Sequence, residues 1–130
     1  TEAAILFTSG GTGIPKGVIY THGILNHQTS ALQEMFHLTS KDTDLPGFPL
    51  FALFTLAMGM TSVIPDMDPT RPAECDPAKI VQHIFDKQIT FAAGSPAIWE
   101  RVGKYCVERN ISLPSLRSVV MFGAPVRGEI

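Results

Sequence analysis

At 130 residues the chain is one domain's worth, long enough to bury roughly two-thirds of the surface its unfolded form exposes. Hydrophobic residues make up 45% and charged residues 17%, which excludes a disordered chain. A formal net charge of -2 removes the electrostatic case for nucleic acid or an anionic membrane as a general partner.

The elements are expected to alternate strand and helix. Ala3 to Phe7 is a short apolar run ending in a glycine-rich loop, the form of a strand buried on both faces. Val18-Ile19-Tyr20 is a second short run. A helix follows Thr21, with Ile24, Leu25, Ala31, Leu32, Met35 and Phe36 returning at helical spacing. Residues 45–65 carry no charge and are long enough to span a bilayer, but Pro46, Gly47, Pro49, Gly59 and Pro65 interrupt them and no Lys/Arg cluster flanks them. A membrane span is therefore not expected. The stretch reads instead as a buried strand, a fully buried helix over 50–60 and a further strand over 61–64.

Asp76-Pro77 is an N-cap followed by proline at the first helical position, and Ile80, Val81, Ile84 and Phe85 form one stripe, with Lys87 near the end. Residues 89–92 read as a strand. Ser95-Pro96 repeats the cap, and Ile98, Trp99, Val102, Tyr105 and Cys106 give a second stripe. Residues 119–122 read as a last strand, closed by Gly123-Ala124-Pro125. Strands separated by helices argue for an α/β fold, a mostly parallel sheet with flanking helices. Ligands bind such sheets at the carboxyl ends of the strands, which here carry three small-residue loops: 8–17, Gly94-Ser95-Pro96 and Gly123-Ala124-Pro125.

The other polar residues read structurally. His22, His27, His37 and His83 lack zinc-ligand spacing, so no metal site is expected, and His22 reads as a helix-start residue with at most a supporting role for the phosphate loop. Asp66, Asp68 and Asp76 read as loop and cap residues, and Trp99 and Tyr105 as core. Cys75 and Cys106 have no CxxC spacing and read as a reduced, cytosolic pair.

The most informative segment is Thr8-Ser9-Gly10-Gly11-Thr12-Gly13-Ile14-Pro15-Lys16-Gly17. Glycines let successive backbone N–H groups converge on one anion, hydroxyls add donors, and Lys16 adds a point charge. That suits the polyphosphate of a nucleotide. A Walker A loop would need Gly-Lys-Ser/Thr where Pro15-Lys16-Gly17 stands, and a dinucleotide fingerprint would need glycine at Lys16. Neither fits.

The segment resembles the phosphate-binding signature of the acyl-CoA synthetase, adenylation-domain and luciferase superfamily of adenylate-forming enzymes. Its usual form is Ser/Thr-Ser-Gly-Ser/Thr-Thr-Gly-x-Pro-Lys-Gly, from which only Gly11 departs, with the loss of one hydroxyl donor. Val18-Ile19-Tyr20-Thr21-His22, Phe48-Pro49-Leu50-Phe51 and Phe122-Gly123-Ala124-Pro125 are similar to later motifs in the same order, so the resemblance covers essentially the whole chain. Ala52 stands where many members carry a histidine. With the runs over 48–54, 59–61 and 63–68, it makes the chain similar to the olefin β-lactone synthetase branch, often labelled fatty acyl-CoA ligases.

The resemblance implies a portion of the large N-terminal domain of such an enzyme: residues 1–130 as a partial AMP-binding (adenylation) domain, truncated at both ends. It implies activation of a fatty or β-hydroxy fatty acid with ATP and Mg²⁺ in the cytoplasm, followed by β-lactone closure. Coenzyme A enters only if the product is a thioester. Thr8, Ser9, Gly10, Gly11, Thr12, Gly13 and Lys16 would cradle phosphates, Gly123, Ala124 and Pro125 would pack on adenine, and Phe51, Ala52 and Phe54 would border the acyl channel. The family's Tyr-Gly-x-Thr-Glu motif, its ribose-binding Asp and its C-terminal-domain Lys are not found in this sequence. The chain alone is therefore expected to be inactive without the remainder of its parent, and self-association through exposed sheet edges is plausible on the same ground. Two other readings stand beside this one. An amino-acid adenylation domain would need an Asp in the pocket, which the apolar run after Phe51 does not offer. A non-catalytic nucleotide-binding module would need only the loop.

Overall fold

The computed structural model describes residues 1–8 and 13–128. The chain divides into two compact units, Thr1–His37 and Leu38–Ile130.

In the first unit, strand β1 (Glu2–Phe7) pairs antiparallel with β2 (Gly17–Thr21), with Phe7 opposite Gly17 and Ile5 opposite Ile19. Helix α1 (His22–Phe36) follows directly. The Thr21 hydroxyl caps it by accepting from the Ile24 amide at 3.2 Å, and His37 ends it in the left-handed region at φ 52°. The helix agrees with its sequence pattern; the first strand does not. Ile5 is 56% and Phe7 72% exposed, so β1 is not buried on both faces. An apolar run shows that a strand wants cover and says nothing about what supplies it, and a two-stranded sheet leaves side chains bare. The glycine-rich loop also joins two antiparallel strands, where strand–helix alternation had suggested parallel ones.

The second unit carries the parallel sheet. Its strands are β3 (Thr43–Pro46), β4 (Thr61–Ser62), β5 (Phe91–Gly94) and β6 (Ser118–Met121), in spatial order β4-β3-β5-β6 and all parallel. Chain order reverses between β3 and β5, so their carboxyl ends form a topological switch point, where a crevice opens.

Helices cover both faces. A 3-10 turn (Pro49–Phe51) and α2 (Ala52–Ala57) lie on one, where the Thr55 hydroxyl reaches Asp44 and the Phe51 ring stacks on Phe91 at 6.1 Å. On the other, α3 (Pro77–Lys87) and α4 (Pro96–Arg109) pack Ile80, Val81, Ile84, Ile98, Trp99 and Val102 against Leu45 and Ala92. The caps are those the sequence announces. The Asp76 carboxylate accepts from the Ala78 amide at 2.9 Å and the Ser95 hydroxyl from the Ala97 amide at 3.3 Å, each followed by proline. Among the described residues no helix is long and apolar enough to cross a membrane.

Three details differ from the sequence expectation. The helix over 50–60 is a short turn plus α2, and it is not fully buried, since Leu53 and Leu56 are 55% and 56% exposed. Only Ala52 and Thr55, three residues apart, turn inward. A uniformly apolar run carries no periodicity from which that face could be chosen. The strand expected over 89–92 is assigned two residues later, at Phe91–Gly94: the Ile89 amide still donates back to the Ile84 carbonyl of α3, while the Thr90 amide already donates across to the Thr43 carbonyl. The strand over 61–64 is assigned only at Thr61–Ser62, although the Val63 amide still donates to the Asp44 carbonyl at 2.8 Å.

Two aspartates brace the sheet. Asp42, beside the amino ends of β3, β5 and β6, accepts from the Thr39 amide at 2.8 Å, the Thr90 hydroxyl at 2.9 Å and the Arg117 guanidinium. Burial raises its pKa, but those hydrogen bonds and the Arg117 charge outweigh it and hold the carboxyl below its usual range. Asp44 is fully buried in β3. Its Oδ2 accepts from Thr55 at 2.7 Å and Ser62 at 3.4 Å, while Oδ1 has no hydrogen-bond partner among the described residues. Burial pushes this carboxyl up to about 6, only partly offset by the two hydroxyls and the Leu45 amide.

A folded-state pKa above the unfolded one means that the native state keeps a proton the unfolded chain has shed. Stability from Asp44 is therefore complete below about pH 4 and lost as pH rises to about 6. Asp44→Asn is expected to be more stable than the parent by about 1–3 kcal/mol at pH 8 and to lose that advantage near pH 4. Urea midpoints at the two pH values check this, and an advantage independent of pH would contradict it.

Candidate functional site

At the carboxyl ends of the parallel strands lies a cleft of about 380 Å³. Gly47 and Phe48 enter it from the end of β3, Ser95 from the end of β5, and Phe122 and Gly123 from the end of β6. Pro69 and Pro72 complete the wall from the long connection between β4 and α3.

Small residues allow the strand ends to meet. The Gly47 amide donates to the Ala93 carbonyl at 2.6 Å and the Phe122 amide to the Gly94 carbonyl at 3.1 Å, so the ladder continues into the loops. A Cβ on Gly47 would come within 2.7 Å of Ile98 Cδ1 and 3.1 Å of the Ala93 carbonyl oxygen, and one on Gly94 within 3.3 Å of the Gly47 Cα. Gly123 turns the chain away from β6 at φ 88°, a conformation that suits glycine.

Aromatic rings line and back the cleft. Phe48 meets Phe122 edge-on at 6.3 Å, and Phe51 stacks on Phe122 at 5.8 Å while meeting Phe54 edge-on at 5.8 Å. Phe51 thus reaches the cleft through Phe122, with Phe54 behind it, and Ala52 is buried in α2. The Ser95 hydroxyl, the one side-chain polar group among the described residues lining the cleft, already caps α4. The cleft therefore suits an apolar ligand group, or a flat ring recognised by backbone atoms.

Two of the three strand-end loops picked out by topology, Gly94-Ser95-Pro96 and Gly123-Ala124-Pro125, meet at this cleft through Ser95 and Gly123, while Ala124 and Pro125 are exposed beyond it. Sequence reasoning missed Pro69 and Pro72, having read their segment as a surface loop. The available signal was a run of prolines at 65, 69 and 72 in an unusually long strand-to-helix connection.

The third loop belongs to the hairpin unit. Ser9, Gly10, Gly11 and Thr12 lie outside the described residues. At the loop's neck the Thr8 amide donates to the Lys16 carbonyl at 2.9 Å, and the Thr8 hydroxyl approaches the same oxygen at 3.4 Å. Gly13 is in the positive-φ region at 100° with open space where a Cβ would be, and Lys16 is exposed. The neck is thus closed by contacts to one carbonyl oxygen, with a positive-φ glycine and an exposed lysine beside it.

Residues 1–130 match a family model described as AMP-binding enzyme. Over 128 residues the chain is 46% identical to the olefin beta-lactone synthetase of Stenotrophomonas maltophilia, covering 98% of this chain and 22% of that protein. It is 30% identical over 121 residues to a long-chain-fatty-acid–CoA ligase of Thermus thermophilus, covering 91% of this chain and 22% of that one. Among solved structures, the O-succinylbenzoate coenzyme A synthetase of Bacillus subtilis in complex with AMP superposes with a TM-score of 0.78 at 25% identity, over 98% of this chain and 26% of that one. The chain thus spans 22% of the length of the curated relatives named here.

The close approach at the strand ends makes a direct prediction. Gly47→Ala should cost about 1–3 kcal/mol through forced displacement of Ile98 and the Ala93 carbonyl, read as a lowered thermal midpoint. An unchanged midpoint would show that the β3 and β5 ends do not touch.

Proposed function

Because the chain belongs to the AMP-binding enzyme family, we propose that its parent protein activates a fatty or β-hydroxy fatty acid with ATP and then closes the product to a β-lactone. A carboxylate is a poor electrophile. In the first step its oxygen attacks the α-phosphorus of ATP, forming acyl-AMP and releasing pyrophosphate. In the second, the acid's own β-hydroxyl attacks the acyl carbonyl, loses its proton and expels AMP, leaving a four-membered lactone.

The observation that carries this reading is the apolar cleft at the switch point, which offers a hydrocarbon chain Phe48 and Phe122 and, among the described residues, no charged side chain. The hairpin loop supports the nucleotide half. Thr8, Ser9, Gly10, Gly11, Thr12, Gly13 and Lys16 are assigned to the β- and γ-phosphates, where Lys16 would balance charge as pyrophosphate leaves. Gly123, Ala124 and Pro125 are assigned to the adenine side, and Phe51, Ala52 and Phe54 to the border of the acyl channel. Mg²⁺ would arrive with ATP and screen the phosphate charge. The need for ATP, together with two free thiols, favours a cytoplasmic setting.

The β-lactone outcome is favoured by the 46% identity to the Stenotrophomonas protein. The second reading, a thioester with coenzyme A, is favoured by the Thermus ligase relative. Full-length parent given ATP, Mg²⁺ and a β-hydroxy fatty acid should release pyrophosphate and AMP and form lactone without coenzyme A. Product that appears only on adding coenzyme A selects the second reading, and no pyrophosphate with any fatty acid overturns both. In the parent, Lys16→Ala should lower kcat/KM for ATP about 10²-fold. Residues 1–130 alone should release none.

A further inference from the structure

We infer that the connection over residues 63–76 is a rigid wall that sets which acyl chains fit the cleft, with Pro69 and Pro72 as its specificity-determining residues. This deepens the reading of the parent as a fatty-acid-activating enzyme and rests on it.

The connection is unusual on three counts. Strand-to-helix connections in α/β units run about 2–6 residues; this one fills the interval between Ser62 and Pro77 and carries a 3-10 turn over Pro72–Glu74. It starts at the edge strand β4, yet its prolines line the cleft with groups from the ends of β3, β5 and β6. It therefore borders the switch point, where ligands bind in open α/β sheets.

It is also held stiffly. The Met67 amide donates to the Pro65 carbonyl at 2.9 Å, Arg71 to Asp68 at 3.1 Å and Glu74 to Arg71 at 2.9 Å, giving consecutive turns. The Asp68 carboxylate accepts from both the amide and the hydroxyl of Thr70, at 2.9 and 2.7 Å. Both ends are anchored. Lys79 pairs with Asp66 at 2.6 Å, Met67 packs against the core, and Cys75 is buried with its carbonyl accepting from Arg101 Nε at 3.0 Å. Three prolines add fixed φ angles. A loop with so many of its backbone groups engaged holds its position when a ligand arrives, which a size filter requires.

The chemistry of the wall selects the occupant. Pro69 and Pro72 have no amide hydrogen and their side chains are ring methylenes alone, so those side chains offer no donor or acceptor to the edge of adenine. They suit hydrocarbon. An acyl adenylate is one molecule, so an acyl chain entering beside the Gly123 side of the cleft would run against these rings. Near a rigid apolar wall each methylene too many meets steric resistance, which discriminates by about 10-fold or more.

The test is chain-length selectivity in full-length parent. Pro69→Trp should narrow the cleft, lowering kcat/KM for a sixteen-carbon acid relative to a ten-carbon acid by about 10-fold. Pro72→Ala should shift the ratio the other way, and KM for ATP should stay within about twofold in both. Equal loss for both acids, or a raised KM for ATP with unchanged acid selectivity, overturns the wall. If the wild type turns over no acid, the activity reading fails by itself. The wall is then judged by calorimetry of the two acids with wild type and Pro69→Trp, where a chain-length-dependent loss of affinity supports it and identical affinities overturn it.

Discussion

Two glycines, Gly47 and Gly94, bring the ends of β3 and β5 close enough that their loops share one cleft. The contact sits over Ile98, whose Cδ1 takes the space a Gly47 side chain would need. Ile98 is itself fixed by the Ser95-Pro96 start of α4, so cap, helix, core and cleft are geometrically linked. Were the strand ends to splay, Phe48 and Phe122 could not meet edge-on, and the carboxyl-end crevice would widen into open surface. The reversal of chain order at this place gives the cleft its position, and the missing side chains give it its depth.

The two ends of the sheet do different work. Asp42, Thr90 and Arg117 tie the strands together at their amino ends, where a satisfied charge network adds order without occupying the cleft. At the other end the polar groups are few and already engaged, so the cleft stays apolar. Asp44 lies between these regimes. It is a buried carboxyl with one oxygen satisfied and one without a hydrogen-bond partner among the described residues, tying α2 and β4 to β3 through Thr55 and Ser62 at some cost in neutral solution.

Much of this was legible in the sequence, for local reasons. Asp76 and Ser95 announce their helices because capping needs only the residue itself and the next turn, and the helix after Thr21 is announced by its apolar spacing. The stripes on α3 and α4 are legible because each has a polar face to contrast with its apolar one. Membership of the superfamily was carried by the loop over 8–17 and the motifs that follow it in order. What stayed hidden depends on partners distant in sequence. The run from Ala3 to Phe7 could not reveal that it pairs antiparallel with Gly17–Thr21. Phe48 was quoted as part of a motif, yet its place on the cleft follows from Gly47 bending past Ala93. Pro69 and Pro72 look like residues of any surface loop until the chain is seen to border the switch point.

A crystal structure of the full-length protein with a non-hydrolysable acyl-adenylate analogue tests the account most directly. The account predicts acyl carbons in van der Waals contact with Phe48, Pro69 and Pro72, within the cleft bounded by Gly47 and Gly123. An analogue bound elsewhere, with this cleft filled by the protein's own side chains, would contradict it.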